Sequence, residues 1–203
     1  MIAPALTFLY VPGDRPDRIE KAFASVAHAV IVDLEDAVAP PRKAEARANL
    51  ADLLGHAREK PAYVRVNPGD EADLEAVAKL ALAGVFVPKV AGPEDVPRLS
   101  LPVHCLLESA RGVEAAFEIA RTDGVAGISL GESDLRAETG ATEAGLDWAR
   151  SRIVNAAVAA GLRGRRSPST RICATSRASP RRAGAGVSSA ISVAPRSIRS
   201  SCR

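Results

Sequence analysis

The sequence predicts an α/β fold of parallel strands, specifically an incomplete (β/α)8 TIM barrel in which about six βα units are recognisable. Two observations predict the α/β class: short apolar, β-branched runs recur along residues 1–162, and helix-like stretches with apolar residues three and four apart separate them. A third favours a barrel over an open doubly wound sheet. Polar residues follow the C-terminal ends of five different runs, and only a barrel gathers those ends around one pocket.

Six strands are predicted, each short enough to be buried on both faces of a sheet: residues 6–11, 29–34, 62–66, 85–90, 103–108 and 125–130. The predicted helices are residues 17–26, 41–57, 70–84, 93–99, 110–122 and 146–161. Because a complete barrel needs eight strand-helix units, the pattern lacks two of them.

Charge divides the chain at residue 162. Residues 1–162 carry 17 Lys and Arg against 24 Asp and Glu, whereas residues 163–203 carry ten Arg, no Lys and no acidic residue. The overall net charge of +3 therefore comes from the C-terminal segment alone. We expect a partial barrel domain over 1–162 and a low-complexity basic tail over 163–203.

Three explanations compete for the Arg/Ser-rich tail. Ten Arg could neutralise nucleic-acid phosphates, but the absence of Lys and of aromatic residues argues against a nucleic-acid partner. The composition also fits disorder. The third, which we favour, is a reading-frame shift near residues 161–166, because "RICATSR" at 171–177 can be back-translated and re-read two bases later as "DLRDLA".

The N-terminus, the longest apolar runs and the cysteines indicate where the protein is located. The N-terminus lacks the features of a secretory signal, and no run approaches the roughly 20 apolar residues of a membrane span. Three widely spaced cysteines give neither a disulfide framework nor a metal-ligand spacing. We therefore expect a cytoplasmic protein without a membrane partner.

Two groups of charged residues stand at predicted strand ends early in the chain. Asp33, Glu35 and Asp36 in "VDLEDAV" repel one another unless a cation, an Arg or substrate hydroxyls compensate them, although a solvated turn or a helix cap is the alternative. Arg65 lies between valines on a strand expected to be buried. Its guanidinium suits a carboxylate or an enolate oxygen, or else a structural pair with Asp33 or Glu35.

Two further carboxylates, Glu108 in "CLLESARG" and Asp134 in "SLGESDL", follow consecutive strands. Two carboxylates on adjacent strand ends can share one hard cation, with waters and substrate oxygens completing the shell, as is usual for Mg²⁺. Spacing alone does not establish such a site. Zinc is disfavoured because no His-rich or Cys-rich spacing is present, and we assign His28, His56 and His104 no role.

Taken in order, "LYVPGDRPDRIEKA", "VIVDLEDAVAP", "YVRVNP", "VFVPKV", "LLESARGV" and "LGESDL" closely resemble the motifs of the HpcH/HpaI aldolase superfamily, in its citrate lyase beta subunit-like branch. The resemblance covers roughly residues 6–162. It implies a TIM barrel that uses Mg²⁺ and cleaves or forms C–C bonds in acyl-CoA substrates such as citryl-CoA, malyl-CoA or citramalyl-CoA. It also implies a homo-oligomer, since relatives form trimers or hexamers.

The resemblance assigns roles to particular residues. It implies that Glu108 and Asp134 are the Mg²⁺ ligands and that Arg65 is the catalytic and substrate-binding arginine that engages the oxo acid or enolate.

The same resemblance implies that Glu35 and Asp36 are catalytic acidic residues of the pocket. The peptide N–H groups around Glu132 and Ser133 are expected to bind the oxo-acid carboxylate.

The family pattern continues beyond residue 162 with two βα units and a closing segment that are missing here. Because missing units leave strand edges unpaired and a core open, we expect this chain to be poorly folded or aggregation-prone, and inactive or weak as a lyase. Alternatives are a malyl-CoA-type thioesterase with the same site and a non-catalytic remnant with a nucleic-acid-binding tail.

Overall fold

The computed structural model describes residues 7–162 and the backbone of residues 171–174. This part of the chain contains seven strands and seven α-helices, and each strand except β4 and β7 is followed by one or two helices. The strands are β1 (Thr7–Pro12), β2 (Ala29–Asp33), β3 (Ala62–Arg65), β4 (Gly84–Val87), β5 (Val103–Leu107), β6 (Val125–Leu130) and β7 (Arg171–Ala174). The helices are α1 (Pro16–Phe23), α2 (Lys43–Leu54), α3 (Glu71–Val77), α4 (Ala110–Glu114), α5 (Ala116–Ala120), α6 (Glu132–Thr139) and α7 (Asp147–Ala159).

All seven strands form one parallel sheet in the order β6-β5-β4-β3-β2-β1-β7. The six strands predicted from the sequence are present, with each end within three residues of its expected position, which confirms the α/β class. Because every strand runs in the same direction, the C-terminal ends of β1 to β6 lie at one edge of the sheet. That edge is where the predicted site residues are concentrated.

Strand β7 was not expected, because the segment 163–203 showed no convincing strand pattern. Its backbone pairs in parallel with β1, with Thr7 opposite Arg171 and Tyr10 opposite Ala174. Within the described part of the chain, β6 and β7 each pair along one side only. The rest of the predicted tail lies outside the described residues, so the boundary at residue 162 stays a prediction.

Alternating residues along the strands divide between two cores. Residues facing the helices, such as Val30, Val32 and Val64, join a large cluster that includes Ile19, Leu50 and most other buried side chains. Residues of the opposite face form a smaller cluster: Phe8, Ala29, Ile31, Tyr63, Phe86 and Leu106. Burial on both faces explains why the strands are continuous apolar runs.

The helices depart from prediction in two places. The segment 93–99 contains only a 3-10 turn, Pro93–Asp95, instead of a helix. Helix α6 was not predicted at all, because Leu135 is the only buried apolar residue in its mostly polar sequence. Asp70 precedes helix α3 as its N-cap, and its side chain accepts a hydrogen bond from the peptide N–H of Asp73. In the described residues, the longest helix is too short and too polar to cross a bilayer.

Candidate functional site

Arg65 and Asp33 form a two-point hydrogen-bonded ion pair at the C-terminal edge of the sheet. The two residues are opposite each other in the register of β2 and β3, so their side chains leave the same face side by side. Arg65 donates from Nε to Asp33 Oδ1 at 2.7 Å and from Nη2 to Asp33 Oδ2 at 2.6 Å. Asp33 is 1% exposed and also accepts hydrogen bonds from the peptide N–H groups of Glu35 and Ala37.

Of the structural partners considered for Arg65, Asp33 accepts two hydrogen bonds from its guanidinium. Burial alone would lower the pKa of the guanidinium, but the hydrogen bonds and charge of Asp33 outweigh burial and raise it. Arg65 therefore stays protonated, with its Nε and one Nη2 hydrogen used by Asp33. The remaining N–H groups of the guanidinium are the ones that could meet a substrate oxygen.

Glu35 lies between two cations. Its Oε2 is 3.0 Å from Arg65 Nη1 and its Oε1 is 2.8 Å from Lys89 Nζ. These are ion-pair distances, yet neither oxygen receives a hydrogen bond of good geometry, although the carboxylate is only 4% exposed. Burial raises the pKa of Glu35, an effect that Lys89 and Arg65 oppose. Glu35 is thus a buried carboxylate whose charge is compensated by Arg65 and Lys89.

Asp36 occupies the rim of the same edge. Its carboxylate is 64% exposed and lies 3.8 Å from Arg65 Nη1. Of the two predicted catalytic carboxylates that follow β2, Asp36 is the one open to solvent.

Glu108 follows β5 and lies against the start of α6. A Cβ placed on Gly131 would be 2.4 Å from Glu108 Cγ and 2.6 Å from Oε1, so Glu108 can occupy this place only because residue 131 lacks a side chain. Burial raises the pKa of Glu108 to about 7, and the charges of Asp134 and Glu35 add to this effect. The charge of Asp134, in the first turn of α6, therefore acts on Glu108, and a shared metal site at these two residues stays a prediction.

The first turn of α6 directs its backbone amides toward this edge. The peptide N–H groups of Glu132 and Ser133 are at helix positions that have no intrahelical acceptor. The side chain of Glu132 has another use: it is 4% exposed and bound by Arg150, at 2.7 Å from Nε to Oε1 and 2.8 Å from Nη2 to Oε2. The predicted substrate contact at these two residues therefore concerns their amides, and it stays a prediction.

The donor set of this edge can accommodate a hard divalent cation. Among the described residues, no group of three or more His, Cys, Asp or Glu side chains is arranged around a common metal position. Mg²⁺, however, is commonly held by one or two carboxylates, with waters and substrate oxygens filling its octahedral shell. Glu108 and Asp134 provide such a pair, and their mutual repulsion is what a cation would relieve.

An aromatic layer lies on the same face of the sheet as Arg65. Phe8, Tyr63 and Phe86 contact one another with ring centroids 5.2 to 5.7 Å apart, and the Tyr10 ring lies 5.1 Å from the Arg65 guanidinium carbon. His104 stacks on Phe86 at 5.0 Å, and burial lowers its pKa to about 4. A neutral, packed His104 agrees with the absence of a role assigned to it.

Sequence reasoning missed three residues that shape this edge. The sequence "VFVPKV" contains Lys89 at the end of a predicted strand but assigns it no role, nothing in the sequence distinguishes Gly131, and Arg150 lies in an ordinary predicted helix. The sequence "VPK" directly after a strand is the one available indication for Lys89. Nothing in the sequence pattern indicates the close approach at Gly131 or the buried pair of Arg150.

Comparison with known families decides how this site is classified. The sequence profile of the HpcH/HpaI aldolase/citrate lyase family matches residues 6–101 and 98–164. The chain belongs to this family. The resemblance inferred from the strand-end motifs is thereby confirmed.

Individual family members are similar over the same region. A (3S)-malyl-CoA thioesterase from Cereibacter sphaeroides is 37% identical over 151 residues, covering 68% of this chain and 52% of the relative. A citrate lyase subunit beta-like protein from Mycobacterium tuberculosis is 42% identical over 139 residues, covering 66% of this chain and 50% of the relative.

A solved structure shares the fold. Protein CitE from Mycobacterium tuberculosis, in complex with magnesium and acetoacetate, superposes with a TM-score of 0.69 at 38% identity, covering 78% of this chain and 71% of that one. The same protein in complex with magnesium, acetoacetate and coenzyme A gives a TM-score of 0.67 at 37% identity, covering 79% of this chain and 64% of that one. This HpcH/HpaI family chain spans about half the length of the curated relatives it matches.

Proposed function

We propose that this family member is a Mg²⁺-dependent carbon-carbon lyase that acts on a hydroxyacyl-CoA of the citryl-CoA, malyl-CoA or citramalyl-CoA type. The observation that carries the proposal is the pairing of Glu108 with Asp134 at the strand edge, where burial and mutual repulsion raise the pKa of Glu108 to about 7. Two similar structures, of CitE, contain magnesium with acetoacetate, and one of them also contains coenzyme A.

The proposed reaction divides one substrate into two products. The hydroxyl group of the hydroxyacyl-CoA loses its proton, and the adjacent C–C bond breaks with its electron pair moving onto the thioester side as an enolate. Protonation of that enolate gives an acyl-CoA, and the other fragment leaves as an oxo acid. When bound at Glu108 and Asp134, Mg²⁺ would supply Lewis-acid polarisation of the oxo-acid carbonyl.

The residues of the chain divide the remaining tasks. The N–H groups of Arg65 that Asp33 does not use would donate to the developing enolate oxygen, where charge appears in the transition state. The amides of Glu132 and Ser133 at the start of α6 would bind the oxo-acid carboxylate.

The acidic residues after β2 would handle protons. Glu35 is a buried carboxylate between two cations, and Asp36 is open to solvent. Both are placed beside Arg65, so either can receive a hydroxyl proton from a substrate that Arg65 holds.

The test uses the full chain with malyl-CoA as the probe. We expect weak release of acetyl-CoA and a 2-oxo acid in the presence of Mg²⁺ and none with EDTA. Glu108→Gln should abolish this activity, whereas Glu75→Gln, an equivalent change at an exposed glutamate of α3, should not change it. Absence of any Mg²⁺-dependent product from a folded chain would refute the proposal.

A thioesterase acting on the same substrates is the second candidate, because a (3S)-malyl-CoA thioesterase is 37% identical to this chain. The same assay separates the two reactions. A thioesterase releases free CoA and leaves the hydroxy acid intact, whereas a lyase keeps the thioester and cleaves the carbon chain.

A further inference from the structure

Lys89 has an unusual backbone conformation at the end of β4. Its φ is +58°, and within the part of the chain that the structure describes it is the only residue other than glycine with a positive φ. A side chain at Cβ makes this left-handed conformation unfavourable, and it persists only where the surroundings enforce it. The question is what enforces it here.

The conformation arises where β4 loses its regular pairing with β5. Val87 is opposite Cys105, and the next backbone contact is from Val90 N–H to the carbonyl of Leu106 at 3.2 Å. Pro88 and Lys89 together therefore lie opposite Leu106, one residue more than regular pairing allows, as in a β-bulge, which redirects the end of a strand. The bulge turns the peptide N–H of Lys89 away from the ladder.

Both polar ends of Lys89 contact carboxylates of the candidate site. The peptide N–H donates to Glu108 Oε2 at 3.0 Å, and Nζ lies 2.8 Å from Glu35 Oε1. Glu108 follows β5, next to β4, whereas Glu35 follows β2, two strands away on the other side. One residue thus connects carboxylates from two separate strands.

We propose that Lys89 is a positioning residue that orients Glu108 through its left-handed peptide N–H, while its ammonium anchors the same loop to Glu35. The proposal rests on the proposed function in one respect, namely that Glu108 binds Mg²⁺. Glycine would adopt this backbone more easily, but glycine has no cationic side chain that could reach Glu35. The lysine side chain is 51% exposed, so burial does not explain its presence.

The first experiment measures amide hydrogen exchange by NMR on the full chain without metal. We expect the Lys89 amide to be protected in the wild type and to exchange about tenfold faster in Glu108→Ala, the effect of losing one hydrogen bond to a charged group. Equal exchange rates in the two proteins would overturn the proposal. This readout needs neither metal nor activity.

The second experiment compares substitutions at residue 89 with Mn²⁺, detected by EPR, as the probe. Lys89→Gly keeps the left-handed backbone available and should leave Mn²⁺ affinity within about threefold of the wild type. Lys89→Val disfavours that backbone and should weaken affinity by about 10-fold to 100-fold, the range for outer-shell contacts to metal ligands. Lys89→Ala replaces the valine variant if circular dichroism shows that the latter is unfolded.

The outcomes separate the two proposals. Equal Mn²⁺ affinities of the glycine and valine variants would refute the positioning role while leaving the lyase proposal intact. Failure of the wild type to bind Mn²⁺ would contradict the lyase proposal, and the exchange rate of the Lys89 amide would still decide the role of Lys89.

Discussion

The raised pKa of Glu108 makes the stability of the metal-free chain depend on pH. The ordinary pKa of this carboxyl is 4.5, and burial with the charges of Asp134 and Glu35 raises it to about 7 in the folded state. The folded chain therefore holds a proton that the unfolded chain releases between these two values. The stabilisation that this proton gives to the folded chain is complete below pH 4.5 and is lost as the pH rises through 7.

The size of the effect follows from the two pKa values. Because of the proton on Glu108, the free energy of unfolding should be about 2 kcal/mol higher at pH 5.5 than at pH 8. The pKa of Glu35 is raised as well, so its contribution has the same sign. Bound Mg²⁺ should act in the opposite direction, because only the ionised carboxylate binds it.

The assay is urea unfolding in EDTA at pH 5.5 and pH 8, repeated with saturating Mg²⁺. Glu108→Gln should remove about 2 kcal/mol of the pH dependence and make the chain more stable than the wild type at pH 8 without metal. Glu75→Gln, at an exposed position, should follow the wild type. If Glu108→Gln shows the same pH dependence as the wild type, the assigned burial and charge repulsion at Glu108 are wrong.

Three further predictions concern neighbouring features. Gly131→Ala places a Cβ against Glu108 and should weaken Mg²⁺ binding at least about tenfold in a calorimetric titration, with little change in melting temperature because the carboxylate end can move. Arg150→Met leaves the buried carboxylate of Glu132 unpaired and should lower the free energy of unfolding by about 3–5 kcal/mol in urea, whereas Arg136→Met, at an exposed ion pair, should cost less than about 1 kcal/mol. Sequencing the coding DNA around codon 163 should reveal, in another frame, a strand, helix and strand; a clean absence of such a continuation would leave the Arg/Ser-rich tail as a genuine part of the protein.

The strands could be predicted from the sequence because burial on both faces leaves an unmistakable pattern. In β2, for example, all five residues are buried, and no polar residue interrupts the run before Asp33. The ends of the helices were predicted less accurately, because the apolar spacing in the sequence continues beyond the last hydrogen-bonded turn. Helix α2 ends at Leu54, although the predicted segment continued to residue 57.

The candidate site was predictable to the extent that it depends on strand ends. Asp33, Glu35, Arg65 and Glu108 were all placed at the C-terminal edge because parallel strands must gather there. The sequence could not decide between a structural and a functional Arg65, and the structure shows that the pair with Asp33 exists without excluding substrate contact. The positive φ of Lys89 could not be predicted from a sequence pattern, because it results from the bulge of the chain against β5.

The distribution of charge along this edge indicates where a cation is needed. The carboxylate of Asp33 is satisfied by Arg65, and that of Glu35 lies between Arg65 and Lys89. Within the described residues, by contrast, Glu108 has a single peptide N–H as its donor, and no cation lies within ion-pair distance of Glu108 or Asp134. The uncompensated negative charge is therefore localised on these two carboxylates, one after β5 and one in the first turn of α6, and a hard divalent ion would stabilise it.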